Sequence, residues 1–510
     1  MLILIRKMAI VCHRWTGVVF CLLFAWWFVS GIFMMYWDFP GISEADRLAR
    51  SEAVDASRIR VSPSAAYATL KQERPPSTAQ LVMFAGRPAY RFSGEGGRRG
   101  AQTLVYADDG TRQEQCADAL ALRVAAAWTG QPQTLARVQE MTDVDQWTIQ
   151  GQLRTLRPLI KYSWPDGEQA YVSKRTCAVV QYTTRSSRTF AHLGAIPHWL
   201  YYTPLQKNGL LWTRIVIWSS GLATLAALLG LIVGISLYSP SKRYWVFGEP
   251  TGIPYKGQKR LHMIFGLFFG MVACTWAFSG MLSMDPFPAT TAGETGGRSA
   301  GNRMLAALHS GRLQMGAFDA KPPREALAEV ASQLRVKQLD FTWFVGDPVY
   351  LASEDPRHTR IIPVNGPAAE HFDSARIIQI LKLASQPAGL AEARVLNEYD
   401  AYYEDRLGEK PLPVILARLN DKQQTRYYID PRTARVVGSY NSRLWMTRWL
   451  YHGLHSLDFP LLYKHRPAWD VVVLSLLLGG TALCVTSVIL AWQLMRRKLA
   501  PPSQRSRAAS

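Results

Sequence analysis

His13-Arg14-Trp15-Thr16-Gly17, followed by Trp27, Ser30-Gly31 and Met35, has a counterpart in His262-Met263-Ile264-Phe265-Gly266, followed by Trp276, Ser279-Gly280 and Met284. The six shared residues all recur after 249 positions. Both copies lie in long, charge-poor apolar runs, from about Met8 to Tyr36 and from about Leu261 to Met284. Two further runs, from about Leu210 to Tyr238 and from about Ala468 to Met495, have the same character. Each exceeds the roughly 20 residues that a helix needs to cross a bilayer. The first run is too long for the apolar part of a cleaved signal peptide and lacks a small-residue cleavage site after Tyr36, so it reads as an uncleaved anchor.

The matches continue outside these runs. Phe84-Ala85-Gly86-Arg87-Pro88-Ala89-Tyr90 resembles Phe344-Val345-Gly346-Asp347-Pro348-Val349-Tyr350 at an offset of 260. Tyr171, Arg175-Thr176 and Val179-Val180 match Tyr428, Arg432-Thr433 and Val436-Val437 at an offset of 257. The same offset carries His198 onto His455 and Trp212 onto Trp469. The chain therefore reads as two tandem halves, each a helix, an outer domain and a helix, related by a pseudo-twofold axis along the membrane normal.

The predicted fold is an integral membrane α+β protein with four transmembrane helices. Residues 1–36 form the amino-terminal end and first helix, 37–209 the first outer domain and 210–238 the second helix. A linker follows at 239–260, then the third helix at 261–284, the second outer domain at 285–467, the fourth helix at 468–495 and a tail at 496–510. At 510 residues the chain exceeds one ordinary domain. With 48% apolar and 19% charged residues, neither a disordered nor a fibrous chain is expected.

The net charge of +20 needs no nucleic acid to explain it. Residues 1–14, 239–260 and 496–510 together carry 13 Lys and Arg against one acid, Glu249. The positive-inside rule makes these three pieces cytoplasmic, with both termini inside and the two large segments outside. Cys116 and Cys177 share the first outer segment and either pair or remain free.

Alternation and turn signals predict hairpins at Ala79–Phe84 with Pro88–Ser93, at Leu159–Trp164 with Ala170–Tyr182, and at Leu412–Leu419 with Arg426–Tyr440. Helices are predicted at Pro63–Lys71, Ala117–Trp128, Pro323–Leu334 and Ser374–Ala384. Gly94–Gly100 and Thr291–Gly301 read as mobile.

Four of the ten histidines occupy duplicated positions. His13 and His262 lie at the cytoplasmic ends of the first and third helices, and His198 and His455 lie just before the second and fourth. Pseudo-twofold packing brings each equivalent pair together. Two opposed imidazoles across a four-helix bundle suit six-coordinate haem iron. Gly17, Gly31, Gly266 and Gly280 leave room for a flat macrocycle or a close helix contact. Arg14, Lys259 and Arg260 are available to propionates. His192 and His452 are not equivalent to each other, and either can be a ligand or a hydrogen-bond partner. A zinc or copper site from His192, His198, His452 and His455 is the competing reading, weakened by the lack of nearby Cys or dense carboxylates. There is no Rossmann fingerprint, Walker loop, Cys-x-x-Cys or nucleophile elbow, so electrons must come from an outside donor such as a quinol or a separate reductase.

His13-Arg14-Trp15-Thr16-Gly17 with Ser30-Gly31 resembles the opening helix of the PepSY-associated transmembrane proteins. So does Trp449-Leu450-Tyr451-His452-Gly453-Leu454-His455-Ser456-Leu457-Asp458-Phe459, preceded by Tyr427-Tyr428-Ile429-Asp430-Pro431-Arg432-Thr433. The resemblance covers about 8–495 and extends to FoxB-type inner-membrane siderophore reductases. It implies two periplasmic PepSY-like domains, two b-type haems, a ferric siderophore as substrate and residence in a bacterial inner membrane. The tail after Met495 is short and carries no flavin domain, and Pro197-His198-Trp199 departs from Leu454-His455-Ser456. The alternative is a non-catalytic PepSY membrane protein that binds or regulates periplasmic peptides or proteases.

Overall fold

The computed structural model describes residues 2–94, 102–113, 115–286, 296–405 and 407–499. They divide into two compact units. One comprises 1–39, 187–290 and 444–510, the other 40–186 and 291–443.

The first unit is built on the helices Leu2–Met34, Gly209–Leu237, Gly257–Leu282 and Arg466–Leu499. All four are long and apolar enough to cross a membrane. Even the shortest, at 26 residues, rises about 39 Å against a hydrocarbon thickness of about 30 Å. The first and third spans each pack against the second and fourth. The first and third are therefore diagonal partners in a four-helix bundle. Phe28, Ala273, Trp469, Val473, Leu477 and Cys484 form its buried apolar seam. Gly480 meets the Phe28 ring so closely that any side chain there would collide with it, so glycine lets the helices approach.

The connectors before the second and fourth spans share details at an offset of 257. The Trp212 indole donates to the Trp199 carbonyl at 2.9 Å, and the Trp469 indole to the Ser456 carbonyl at 3.0 Å. Leu200 and Leu457 both take the left-handed conformation with φ of 52°. The connector before the fourth span is wound as a π-helix over Met446–Gly453, a form that often marks functional sites.

In the second unit the first outer segment contributes β1 (Pro76–Phe84), β2 (Arg87–Gly94), β3 (Gln102–Tyr106), β4 (Arg112–Gln113), β5 (Arg137–Met141), β6 (Leu159–Ser163), β7 (Gln169–Ser173) and β8 (Ala178–Thr183). The pair β9 (Tyr244–Val246) and β10 (Glu249–Thr251) belongs to the linker of the first unit. The second outer segment contributes β11 (Gln338–Phe344), β12 (Asp347–Ser353), β13 (Thr359–Pro363), β14 (Leu390–Leu396), β15 (Val414–Leu419), β16 (Arg426–Asp430) and β17 (Arg435–Tyr440).

The two outer segments share one seven-stranded antiparallel sheet, ordered β13-β12-β11-β1-β2-β3-β4. β1 pairs with β11, and Gln80 stands opposite Asp340, the residue 260 positions later. The β1–β2 and β11–β12 hairpins each turn through two residues with positive φ, Ala85-Gly86 and Val345-Gly346, as a type I′ turn demands. One face of the sheet buries Leu81, Tyr90, Phe341 and Tyr350 around Phe318. Burial of a ring of that size contributes roughly 2–3 kcal/mol. The other face is covered in two places. Helix Asp118–Thr129 and the sheet β5-β6-β7-β8 cover one, and helix Ser374–Ala384 and the sheet β14-β15-β16-β17 cover the other.

Several expectations change. Ala170–Tyr182 is two strands, because Cys177 N–H closes a turn onto Ser173 O at 2.8 Å and Cys177 takes φ of 50°. Arg426–Tyr440 splits in the same way at Ala434, whose N–H donates to Asp430 O at 2.8 Å. The glycine-rich stretch predicted to be mobile over Thr291–Gly301 runs into a helix, Gly296–Leu308, because Met304 and Leu308 bury an apolar face. Residues 95–100, 291–295 and the tail from 500 lie outside the described residues. Cys116 and Cys177 are disulfide-bonded across 61 residues. On the chain-entropy account such a link contributes about 4 kcal/mol.

Candidate functional site

His13 projects from the first span and His262 from the third. Diagonal placement in the bundle brings their rings together, with centroids 6.2 Å apart and planes inclined by 23°. Two metal–imidazole bonds of about 2 Å plus about 1 Å of ring depth on each side total about 6 Å. The spacing would admit one metal ion between the two rings.

The hydrogen bonds around these rings set the tautomer. His13 Nδ1 donates to the Ala226 carbonyl at 3.3 Å. His262 Nδ1 lies 3.2 Å from Thr486 Oγ1 and 3.3 Å from Ser487 Oγ. Both hydroxyls give their own protons to Leu483 O, so they accept from the ring. In each case Nδ1 carries the proton and Nε2 keeps its lone pair. Gly230 matters to the first ring, because a Cβ there would stand 2.6 Å from His13 Cε1. Ser487, its counterpart at offset 257, uses its hydroxyl instead.

His198 and His455 form a second pair, with centroids 5.9 Å apart and planes at 68°. His198 Nδ1 donates to Ser30 Oγ at 3.0 Å, and His455 Nδ1 to Ser279 Oγ at 3.1 Å. Ser30 and Ser279 pass their hydroxyl protons to the carbonyls of Trp27 and Trp276. All three residues of each relay thus recur between the two halves. Burial drives the His198 imidazole down to about 3, helped by the neighbouring His455. Burial likewise brings His455 to about 4, against the Trp276 carbonyl and with a contribution from His452. Both rings are neutral, as a metal ligand must be. His13 and Ser30 are 17 residues apart on one helix, so the two pairs lie about 26 Å apart along it.

The remaining candidates fall elsewhere. His192 is exposed on the helix Arg185–Leu193. His452 packs on Tyr451, with ring centroids 5.0 Å apart, while Tyr451 also contacts His455 at 5.5 Å. Arg14 is exposed, and Arg260 donates to Thr251 Oγ1 at 3.0 Å. Among the described residues no three His, Cys, Asp or Glu side chains gather as a metal site, which leaves the zinc or copper reading without a cluster. Of the four glycines, Gly17 faces open space and Gly266 nearly so. Gly31 and Gly280 instead admit the His198 and His455 rings, at 3.8 and 3.5 Å from a notional Cβ.

Sequence reasoning did not assign roles to Ser30, Ser279, Thr486, Ser487 or Gly230. Ser30 and Ser279 were visible as repeated residues, but nothing along the chain identifies a histidine 168 or 176 residues away as their partner.

Fold and site together define a multi-pass membrane protein with paired histidines inside its helical bundle. Residues 11–356 match the PepSY-associated TM region, and the chain belongs to that family. No curated protein matches it.

Proposed function

We propose that this protein is a haem-dependent inner-membrane reductase that delivers single electrons to a ferric siderophore in the periplasm. The carrying observation is the two close histidine pairs, one with near-parallel and one with steeply inclined rings, each with Nδ1 engaged and Nε2 left for iron. The separations of 6.2 and 5.9 Å fit bis-imidazole ligation. When bound, each b-type haem supplies a one-electron carrier. The protein's part is to hold His13 with His262 and His198 with His455 at that spacing, with Ser30 and Ser279 orienting the second pair. Arg14, Lys259 and Arg260 offer positive charge to propionates at the cytoplasmic end. A cytoplasmic or quinol donor is oxidised as iron(III) is reduced, and iron(II) is held far more weakly by hydroxamate or catecholate oxygens.

On this reading the chain consists of two tandem halves. Support comes from the Gln80–Asp340 pairing, the matched Trp212 and Trp469 hydrogen bonds and the matched serine–histidine contacts. The basic flanks also meet at one end of the bundle, where Lys498 lies over the Trp15 ring at 4.7 Å. That end is read as cytoplasmic. Reporter fusions after Ser239 and after Lys498 should read cytoplasmic, and one near Gly94 periplasmic. A periplasmic signal after Ser239 would overturn this orientation.

The visible spectrum of the purified protein tests the function. Soret and α bands that shift on dithionite, and reoxidise on adding a ferric siderophore, are expected. A protein that stays colourless when supplied with haem would refute the reading and leave a non-catalytic module. A second expected result concerns Gly230→Leu, which drives a side chain into the His13 ring. Haem should fall from about two to about one per chain, while Gly17→Ala, facing open space, leaves it unchanged. Equal haem in both variants would contradict the role given to Gly230.

A further inference from the structure

The linker between the second and third spans is fixed to the bundle at its base. Ser239 N–H donates to Gly252 O at 2.9 Å, Arg260 Nη1 donates to Thr251 Oγ1 at 3.0 Å, and Ile253 is buried with Val233, Leu237 and Met263. Above that base, β9 and β10 pair Tyr244 with Thr251, Trp245 with Pro250 and Val246 with Glu249. Strand alternation gives this ribbon two unlike faces. Tyr244, Val246 and Thr251 are half-buried, whereas Trp245 and Pro250 are exposed side by side. Trp245 is 73% exposed and Phe247, in the turn, 81%. Phe247 also holds φ of 55°, next to Gly248 at 81°. A bulky side chain in the left-handed region is strained, and Asn, Asp or Gly is the ordinary occupant of that turn position. The rest of the chain covers neither ring enough to offset that strain.

The tip does not project away from the spans. The Phe247 ring lies 4.3 Å from Lys256 Nζ, and Lys256 is the residue just before the third span. Lys242 and Arg243, both exposed, precede β9. Among the described residues none of these three cations is in an ion pair. An exposed apolar patch rimmed by positive charge, beside the end of a span, has the chemistry of a bilayer's headgroup layer. Aromatic rings settle there, and Lys and Arg meet lipid phosphates. A soluble partner would need the patch turned away from the bilayer, and the contact of the tip with Lys256 argues against that.

We propose that the β9–β10 hairpin is a membrane-surface anchor for anionic phospholipid. Trp245 and Phe247 seat in the headgroup layer, and Lys242, Arg243 and Lys256 meet its phosphates. The inference rests on the four spans crossing a bilayer and needs neither haem nor siderophore.

The test is hydrogen exchange of the full-length protein in lipid nanodiscs. A two-stranded ribbon this short opens readily by itself, so the amides of residues 244–251 report what covers it. Exchanging pure phosphatidylcholine for a mixture with phosphatidylglycerol should slow their exchange roughly fivefold or more, the weight of one basic residue at an anionic surface. Trp245→Ser should lose most of that protection and Arg243→Gln part of it. Phe247→Asn separates anchoring from folding. Asn accepts positive φ, so its unfolding midpoint in detergent should equal or exceed that of the wild type, while its protection by phosphatidylglycerol falls. Equally fast exchange of the wild type in both lipids would overturn the anchor, and so would full protection retained in both Trp245→Ser and Phe247→Asn. A Phe247→Asn midpoint well below wild type in detergent would mark the ring as structural and overturn its assignment to lipid. Inorganic phosphate giving the same protection in phosphatidylcholine discs would overturn the membrane-surface reading in favour of a free anion. None of these readouts depends on haem, so failure here and failure of the reductase reading are separate results.

Discussion

Replacing either His198 or His455 with alanine is expected to remove one of two haems and to lower ferric-siderophore reduction by roughly a hundredfold or more. The two rings are 5.9 Å apart, and each is aimed by a serine of its own half. On the proposed reading, a haem held there would lose one of the two imidazoles that hold it. The haem at His13 and His262 should remain and should still be reducible from the cytoplasmic side, because none of its ligands is touched. The defect should therefore appear as rate, with substrate affinity retained. His452 serves as the control. It lies one turn before His455 and packs on the Tyr451 ring that also contacts His455. If His452→Ala alone loses haem, the assignment of His455 is wrong. If none of the three variants loses haem or activity, the second haem site does not exist.

His13→Ala and His262→Ala should each reduce haem from about two to about one per chain, measured as the pyridine haemochrome. The haem that remains should be the one held by His198 and His455, about 26 Å further along the first span. Electron entry from the cytoplasmic side should fail in both variants, although dithionite still reduces the remaining haem directly. Haem content that stays unchanged in both variants would reject this pair as ligands.

Much of this architecture was legible along the chain. The four spans follow from apolar length, since a helix satisfies its own backbone hydrogen bonds and a bilayer demands that it do so. The hairpin at β1–β2 follows from alternation around a glycine that accepts positive φ, and β11–β12 repeats it where Phe344–Tyr350 resembles Phe84–Tyr90. The histidine pairs follow from the recurrence of His13 at His262 and of His198 at His455. Less legible was the break between β7 and β8, where Lys174-Arg175-Thr176 continues a polar alternation but folds as a turn closed by Cys177. Nor did either outer segment announce that β1 would pair with β11, because a strand edge is recognised only when its partner arrives.

The sequence by itself thus determined the spans, the family and which histidines correspond. These depend on residue chemistry repeated at fixed spacing, which packing does not alter. Tertiary structure alone decided that Ser30 holds His198, that Thr486 and Ser487 lie at His262, and that Gly230 makes room for His13. Those relations join residues from about 170 to 225 positions apart, and a hydrogen bond or steric contact is settled within a few tenths of an ångström. Only the final register of packed helices and paired strands reaches that resolution.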